Sequence, residues 1–339
     1  MNYFSDLKEH LIKDGQHSYR YDQLYRALTI ENVQSFDKIS NFPKELRGGL
    51  KKCFPNYFPA VTDKVTGSDC VKFLIELKDG LKVESVLIHD DKRGSNTVCC
   101  SSQVGCKLNC SFCATAEMGF IRDLDHWEIA SQVFIAADHL RGSNEKITNA
   151  VIMGMGEPFL NYDNLIKALD LLNDEDGFSL GARRISVSTA GITPMIKRFS
   201  KASQFNLAIS LHSPFQKERE QLMPIAKKYP LWQLMKAAEQ YVLDTSRKVM
   251  LEYLLLDGIN TSPRHLDRLK ELTKNKLFTI NLVKYHPTAS MYTSPGDKEI
   301  SLIMDYLRNS GGDVTLRRSK GVDIDAACGQ LAIKETPSK

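Results

Sequence analysis

Long apolar segments are absent from this sequence of 339 residues. No stretch approaches the ~18 consecutive apolar residues that a membrane-spanning helix needs. The first residues, MNYFSDLKEHLIKDG, carry charges throughout and do not form the apolar centre of a secretory signal peptide. These two absences predict a cytoplasmic protein that does not contact a membrane.

The sequence also has little excess of charge of either sign. It contains 45 Lys and Arg residues against 41 Asp and Glu residues, which gives a formal net charge of +4. This excess permits an RNA partner but does not argue for one, because proteins that bind phosphates usually concentrate basic residues in patches. No internal repeat is visible, and 42% hydrophobic content is ordinary for a soluble globular protein.

Cysteine, by contrast, is present at eight positions, namely Cys53, Cys70, Cys99, Cys100, Cys106, Cys110, Cys113 and Cys328. Because disulfides are rare in the cytoplasm, these residues are expected to be metal ligands, redox-active thiols or small buried side chains. Cys53 and Cys70 follow no pattern, and for them packing is the expected role.

Three of the cysteines form the spacing Cys-x3-Cys-x2-Cys, at Cys106, Cys110 and Cys113. No fourth cysteine follows locally, and the nearest downstream histidine, His126, lies in a segment that predicts a capped helix start. Three thiolates without a local fourth ligand fit an iron–sulfur cubane in which one iron stays open to a substrate. From spacing alone, a zinc loop or buried structural thiols remain alternatives.

The periodicity of the chain predicts three parts: a helical segment at residues 1–60, a short β connector at 61–95 and an α/β core at 96–339. In the connector, strands at 71–77 and 83–89 are expected to flank a turn at Lys78 to Gly80. In the core, seven strands are expected near 98, 150–153, 185–189, 207–211, 249–256, 279–285 and 314–317, alternating with helices. Such alternation predicts a parallel sheet covered by helices.

Polar residues follow the ends of several predicted core strands. The segment Gly154–Pro158 (GMGEP) follows one strand, Ser188 ends the next, and Ser210 to His212 end the one after. Each residue alone would be an ordinary turn or cap. Because ligands bind at the carboxyl ends of parallel strands, their recurrence predicts a shared ligand, and Glu157 could bind its ammonium group.

The segments CSSQVGC, CSFCATAEMGF, MGMGEP and DIDAACGQL closely resemble the radical S-adenosylmethionine (SAM) RNA adenosine methyltransferases of the RlmN/Cfr type. The resemblance runs over nearly the whole chain. It implies an open (β/α)6-type barrel and a [4Fe–4S] cluster on Cys106, Cys110 and Cys113. It also implies SAM contacts at Gly156, Glu157, Ser188, Ser210, Leu211, His212 and, where the family typically has asparagine, His286.

The same resemblance implies roles for residues outside the cluster. Cys328 is expected to carry a methyl group from one SAM, and Cys99 to release the methylated RNA by forming a transient disulfide with Cys328, so that each turnover consumes two SAM molecules. Adjacent Cys100 has no such counterpart. Glu84 matches a proton acceptor of the family, although an outward-pointing charge on a strand is the alternative.

The substrates that the resemblance implies are an adenosine of 23S rRNA in the peptidyl transferase centre and the tRNA adenosine 3′ of the anticodon, methylated at C2. CATAEMGF and GMGEP favour this branch, whereas LHSP and LMPI favour C8 methylation of the same rRNA base, so both stay open. A zinc-stabilised RNA-binding protein without catalysis is the alternative from another class.

The resemblance also extends to partners. The segment from YRYDQLYRAL to FPKELRGGL resembles the family's N-terminal accessory domain, which helps to hold RNA. Arg317, Arg318 and Lys320 are suited to phosphates that flank the target base. An electron donor such as flavodoxin with its reductase, and a monomeric enzyme, are the remaining expectations.

Overall fold

The structure is a computed structural model that describes residues 3–202, 204–274, 277–288, 290–317 and 319–333. Its twelve labelled strands within these ranges are β1 Ala60–Thr66, β2 Cys70–Glu76, β3 Lys82–Asp90, β4 Ser95–Cys100, β5 Gln103–Gly105, β6 Phe120–Asp123, β7 Asn149–Ile152, β8 Ile185–Thr189, β9 Asn206–Ser210, β10 Val249–Leu255, β11 Phe278–Lys284 and β12 Val314–Arg317.

The α-helices of the described ranges are α1 Tyr3–Lys13, α2 Tyr19–Thr29, α3 Lys44–Cys53, α4 Ala114–Glu117, α5 His126–His139, α6 Tyr162–Asn173, α7 Thr193–Ala202, α8 Gln216–Leu222, α9 Leu231–Thr245, α10 Pro263–Leu272 and α11 Asp297–Asn309. Helix α5 starts with a capping box, in which the Asp125 carboxylate accepts from the Glu128 backbone N–H at 2.9 Å. The predicted helix start is confirmed, and His126 is a buried helical residue.

The main sheet joins ten strands of the described chain in the order β1-β2-β3-β4-β7-β8-β9-β10-β11-β12. From β4 onward every neighbouring pair is parallel, and helices lie between successive strands. The expected open α/β architecture is confirmed. Within the described ranges the parallel part has seven strands, as predicted one by one from the sequence, and not the six of the barrel's name.

Strands β1 to β3 pair antiparallel, and β3 joins the parallel part through β4, where Val86 lies opposite Cys99. The connector is therefore an extension of the core sheet. Its turn lies where predicted, and Gly80 has a φ of +80°, a conformation that glycine adopts without strain.

The N-terminal helices share one hydrophobic core with the α/β part. The segment predicted to be helical forms three α-helices in the described residues. Trp127 of α5 is buried, its indole N–H donates to the Tyr57 carbonyl at 2.9 Å, and its ring lies 5.5 Å from that of Phe4. This contact fixes the helical segment on the core. In the described part of the chain, no helix has both the length and the apolar character to cross a bilayer.

Candidate active site

A cavity of about 730 Å³ lies along one face of the parallel strands. Side chains alternate across a strand, so residues two apart point to the same face. On β4 and in the middle of β8 the cavity lining follows this rule, because it includes Cys99 but not Cys100, and Ser186 and Ser188 but not Val187. Cys100 is instead buried in the hydrophobic core. The predicted strand ends therefore do converge on one site.

The three clustered cysteines line this cavity. Cys106 follows β5, where its backbone N–H donates to the Gly119 carbonyl at 2.9 Å, and Cys113 occupies the position before α4. Burial raises the pKa of Cys106 to about 12 and raises that of Cys110 and Cys113 as well. Buried thiolates require a compensating cation, and iron supplies one.

The arrangement of ligands also bears on which metal group fits. No group of three or more His, Cys, Asp and Glu side chains in the described ranges is arranged to hold a metal ion. A zinc site needs its ligands around one ion, whereas a cubane cluster takes each cysteine on a different iron. Cys106 and Cys110 pack with Phe112 against an apolar cluster that includes Leu108, so a cluster here would be shielded from water. Three thiols that line one cavity beside an apolar cluster fit the iron–sulfur group that the family resemblance implies.

The GMGEP segment is fixed against the chain that leads into the cysteine loop. Gly156 has a φ of +100°, and a Cβ there would lie 2.6 Å from Gln103 Cβ. Gln103 Oε1 accepts from the Glu157 backbone N–H at 2.8 Å. A Cβ at Gly154 would lie 2.7 Å from Ser101 Oγ. We expected these glycines to serve a ligand, and although both line the cavity, they also permit this close packing.

Glu157 lines the cavity with its carboxylate held by the protein. Oε1 accepts from Thr189 Oγ1 at 2.7 Å and from the Phe159 N–H at 3.0 Å, and Oε2 accepts from the Ala190 N–H at 2.7 Å. Burial nevertheless raises its pKa to about 7. A cationic ligand would favour the charged form, which matches the expected contact with an ammonium group.

His212 is a buried, neutral hydrogen-bond donor. Burial and the Arg219 guanidinium lower its pKa to about 3. Its Nδ1 accepts from the Leu254 N–H at 3.1 Å, so the ring proton lies on Nε2. Its ring packs edge-on against Phe112 at 4.9 Å. His212 lines the cavity with Ser188 and Ser210, whereas the Leu211 side chain lies in the core and its N–H donates to the Glu252 carbonyl.

His286, at the position where the family typically has asparagine, also lines the cavity. Its Nε2 is hydrogen-bonded to Ser319 Oγ, and burial lowers its pKa. The ring is therefore neutral near pH 7 and already has one partner within the protein.

Cys99 and Cys328, more than two hundred positions apart in the sequence, line the same cavity as Arg317, and both thiols interact electrostatically with its guanidinium. The pKa of Cys99 is raised to about 12, chiefly by burial and then by the charge of Cys328, while Arg317 acts in the opposite direction. The pKa of Arg317 is raised, chiefly by Cys328. The structure brings the two predicted redox thiols to one place.

The three basic residues expected to contact phosphates of the RNA do not form one surface patch in the described residues. Arg317 lines the cavity, where its Nη1 is 3.3 Å from Met153 Sδ, and its expected contact with a flanking phosphate stays a prediction. Lys320 pairs with Asp69 at 3.1 Å, and Arg318 lies outside the described residues. At the opposite end of the cavity, before the strands begin, the exposed residues Lys92, Arg183 and Arg184 form part of the lining.

Glu84 does not point outward, so that alternative is wrong. It is buried on β3, where Oε1 pairs with Lys72 Nζ at 3.1 Å and Oε2 accepts from the Ala332 N–H at 3.0 Å. It is not among the residues that line the described cavity.

Two charged residues of the site were not anticipated from the sequence. Glu252 of β10 is buried in the cavity wall, where both carboxylate oxygens accept from Asn281 Nδ2. A single acid inside the apolar strand VMLEYLL was the signal that could have found it. Arg219 is fully buried, donates to the Ser210 carbonyl at 3.2 Å, and its Nε and Nη1 have no partner in the described part of the chain.

Comparisons with known proteins agree with this arrangement. The family model described as "Radical SAM superfamily" matches residues 100–269. A "Probable dual-specificity RNA methyltransferase RlmN" of Geobacillus kaustophilus is 42% identical over 334 residues, covering 97% of this chain and 91% of that relative. A "Dual-specificity RNA methyltransferase RlmN" of Saccharophagus degradans is 39% identical, covering 94% and 82%.

A comparison with solved structures also finds a radical SAM methyltransferase of the same fold. The crystal structure of a radical SAM methyltransferase from Sphaerobacter thermophilus superposes with a TM-score of 0.93 at 37% identity, covering 97% of this chain and 98% of the other. The hydrogenase maturase HydG, at 14% identity and a TM-score of 0.52, shares the fold alone.

Proposed function

Because the chain belongs to the RlmN family of radical SAM RNA methyltransferases, we propose that it methylates C2 of adenosine in 23S rRNA and in tRNA. The superfamily to which it belongs uses a [4Fe–4S] cluster and SAM. Cys106, Cys110 and Cys113 hold the cluster, and Glu157, Gly156, Ser188, Ser210 and His212 hold SAM, with Leu211 and His286 at the edge of this site. The observation that carries the proposal is that the three cluster cysteines and these polar residues, though not the Leu211 side chain, line one cavity together with Cys99 and Cys328.

The target carbon explains why two further thiols are needed. C2 of adenine lies between two ring nitrogens and is electron-poor, so it cannot displace a methyl group from a sulfonium as a nucleophile would. Cys328 can do so as a thiolate, and the adjacent Arg317 guanidinium stabilises that charge. When bound, the cluster and a second SAM supply the radical chemistry that removes hydrogen from the S-methyl group of Cys328.

Release of the product depends on Cys99. Once the former methyl carbon joins C2, the RNA is covalently attached to Cys328. The C2 proton is lost to a base. The Cys99 thiolate attacks the Cys328 sulfur, so that a sulfur–sulfur bond forms as the carbon–sulfur bond breaks, and the released carbon takes up a proton to become the methyl group. The one electron left over from the radical addition would pass to the bound cluster, and the disulfide would be reduced by an external electron donor before the next turnover. Two SAM molecules are consumed in each turnover. Glu84 is the predicted base, and Glu252, which lines the cavity, is a second candidate.

An adenosine inside a helix cannot reach this cavity, so the target is an unpaired or flipped nucleotide. Lys92, Arg183 and Arg184 at the far end of the cavity support contacts with its flanking phosphates. The N-terminal helices add a second RNA contact, supported by exposed Lys44 and Lys52 on α3. The working enzyme is a monomer that receives electrons from a donor such as flavodoxin with its reductase.

Mass spectrometry of rRNA and tRNA fragments methylated by the reconstituted enzyme tests the proposal, since it identifies the nucleotide and the ring position together. We expect 2-methyladenosine in both RNAs. Methylation at C8 of the rRNA adenosine would overturn the regiochemistry. Bound zinc without a broad iron–sulfur absorption band near ~400 nm would favour the non-catalytic RNA-binding alternative.

A further inference from the structure

The segment that carries Cys328 is held by contacts on both sides of that residue. Before it, the Gly321 N–H donates to Asp69 Oδ1 at 2.9 Å, and Asp323 Oδ2 accepts from the Ser68 N–H at 2.8 Å. After it, the Gly329 carbonyl accepts from the backbone N–H of Ala114 at 2.8 Å. The turn between β1 and β2 and the first residue of helix α4 therefore both hold this segment.

One ion pair contacts the segment on both sides of Cys328 at once. Lys72 of β2 and Glu84 of β3 pair at 3.1 Å, with side chains that are only 15% and 8% exposed. Lys72 Nζ also donates to the Asp325 carbonyl at 3.3 Å, and Glu84 Oε2 accepts from the Ala332 N–H at 3.0 Å. The two contacts are three residues before and four residues after Cys328.

We propose that the Lys72–Glu84 pair is a positioning device that holds the Cys328 loop in the cavity. The inference rests on the proposed function, in which Cys328 must face both SAM and Cys99. The pair fits this task because a buried charge that loses its partner is strongly disfavoured, so each charged group keeps the other in place. The Asp325 carbonyl accepts a hydrogen bond from Lys72, and the Ala332 N–H donates one to Glu84. These two hydrogen bonds hold the loop against the ion pair.

The antiparallel strands β2 and β3 therefore help to position the Cys328 loop. Strands β2 and β3 supply the two charged groups, and β3 pairs directly with β4, which carries Cys99. The Cys328 loop is thus fixed to the same rigid sheet as the thiol with which it must react. Lys72 acts through the loop and is a positioning residue, not a catalytic one.

The same hairpin offers a matched control. Lys82 pairs with Glu76 at 3.9 Å, and the two side chains are 37% and 42% exposed. Exposed pairs contribute little, so Lys82→Met should leave the loop unchanged. Lys72→Met removes the positioning charge, Lys72→Arg retains it, and Glu84→Gln keeps an oxygen for Ala332 while removing the ion pair.

The test measures how fast N-ethylmaleimide alkylates Cys328 in the anaerobic holoenzyme without RNA, followed by peptide mass spectrometry. We expect at least about ten-fold faster alkylation in Lys72→Met, a smaller increase in Glu84→Gln, partial rescue in Lys72→Arg and the wild-type rate in Lys82→Met. Iron content should stay at the wild-type level, because the cluster cysteines lie elsewhere.

A wild-type alkylation rate in folded Lys72→Met would overturn the proposal. If that variant does not fold, Glu84→Gln decides in the same way. The maleimide readout does not require Cys328 to carry a methyl group. If wild-type enzyme incubated with SAM shows no methyl on Cys328, the proposed function fails while alkylation still decides on the positioning pair. Lys72→Met leaves the Glu84 carboxylate in place. Faster alkylation in this variant would therefore reflect lost positioning of the loop and not the loss of Glu84 as a base.

Discussion

Cys99 gives a quantitative prediction about the release of methylated RNA. Burial and, to a smaller extent, the charge of Cys328 together raise the pKa of this thiol to about 12, although Arg317 lowers it. The attacking species is the thiolate, so only about 10⁻⁵ of the molecules are reactive at pH 7. When Cys328 is bonded to carbon its charge disappears, but burial, the larger cause, remains. The pKa therefore stays raised during the step in which Cys99 reacts.

Because the pKa lies above the working range, the reactive fraction grows as pH rises. The rate of release should increase about ten-fold per pH unit, and hence about 100-fold between pH 7 and pH 9. The assay is a single-turnover reaction quenched with denaturant, in which the RNA–protein adduct is a shifted band whose decay is followed. Decay that does not change between pH 7 and pH 9 would refute the reasoning.

Substitutions at neighbouring positions complete this experiment. Cys99→Ala should retain the adduct at every pH, because no second sulfur can attack Cys328. Cys100→Ala should turn over and accumulate none, since Cys100 lies in the core and outside the cavity lining. Normal release of methylated RNA by Cys99→Ala would make Cys99 a structural thiol.

Three further predictions concern stability, SAM binding and the cluster. Trp127→Ala should lower the free energy of unfolding by about 3–5 kcal/mol in chemical denaturation, because the ring is fully buried; a loss below 1 kcal/mol would contradict the shared core. Gly156→Ala should weaken SAM binding at least about ten-fold in calorimetry. A residue with a side chain pays about 1–3 kcal/mol of backbone strain at the φ of +100° that Gly156 adopts. Unchanged affinity would show that the loop tolerates a side chain at this position. Arg219→Met should lower the reduction potential of the cluster, because it removes a buried cation that acts on Cys110. Arg219→Lys should have a potential closer to that of the wild type. An electron paramagnetic resonance titration measures the potential, and an unchanged value in Arg219→Met would refute this.

Most secondary-structure elements of the fold could be predicted from residues that lie close together in the sequence. The capping box at Asp125 and Glu128 involves residues three apart, so its pattern is visible in the sequence and its geometry was confirmed. The order of strands and helices in the core follows from periodicity, which is also local. The spacing of Cys106, Cys110 and Cys113 is again a property of one loop. In each case the interacting groups are close along the chain.

Tertiary structure decided what depends on distant segments. The location of Arg317 inside the cavity follows from its position on the last parallel strand, whereas a run of basic residues in the sequence indicates only charge. The burial of Glu84 depends on its pairing with Lys72 and on the return of the C-terminal segment to β3. No local pattern encodes these contacts, because they form only when the sheet has assembled and its packing excludes water.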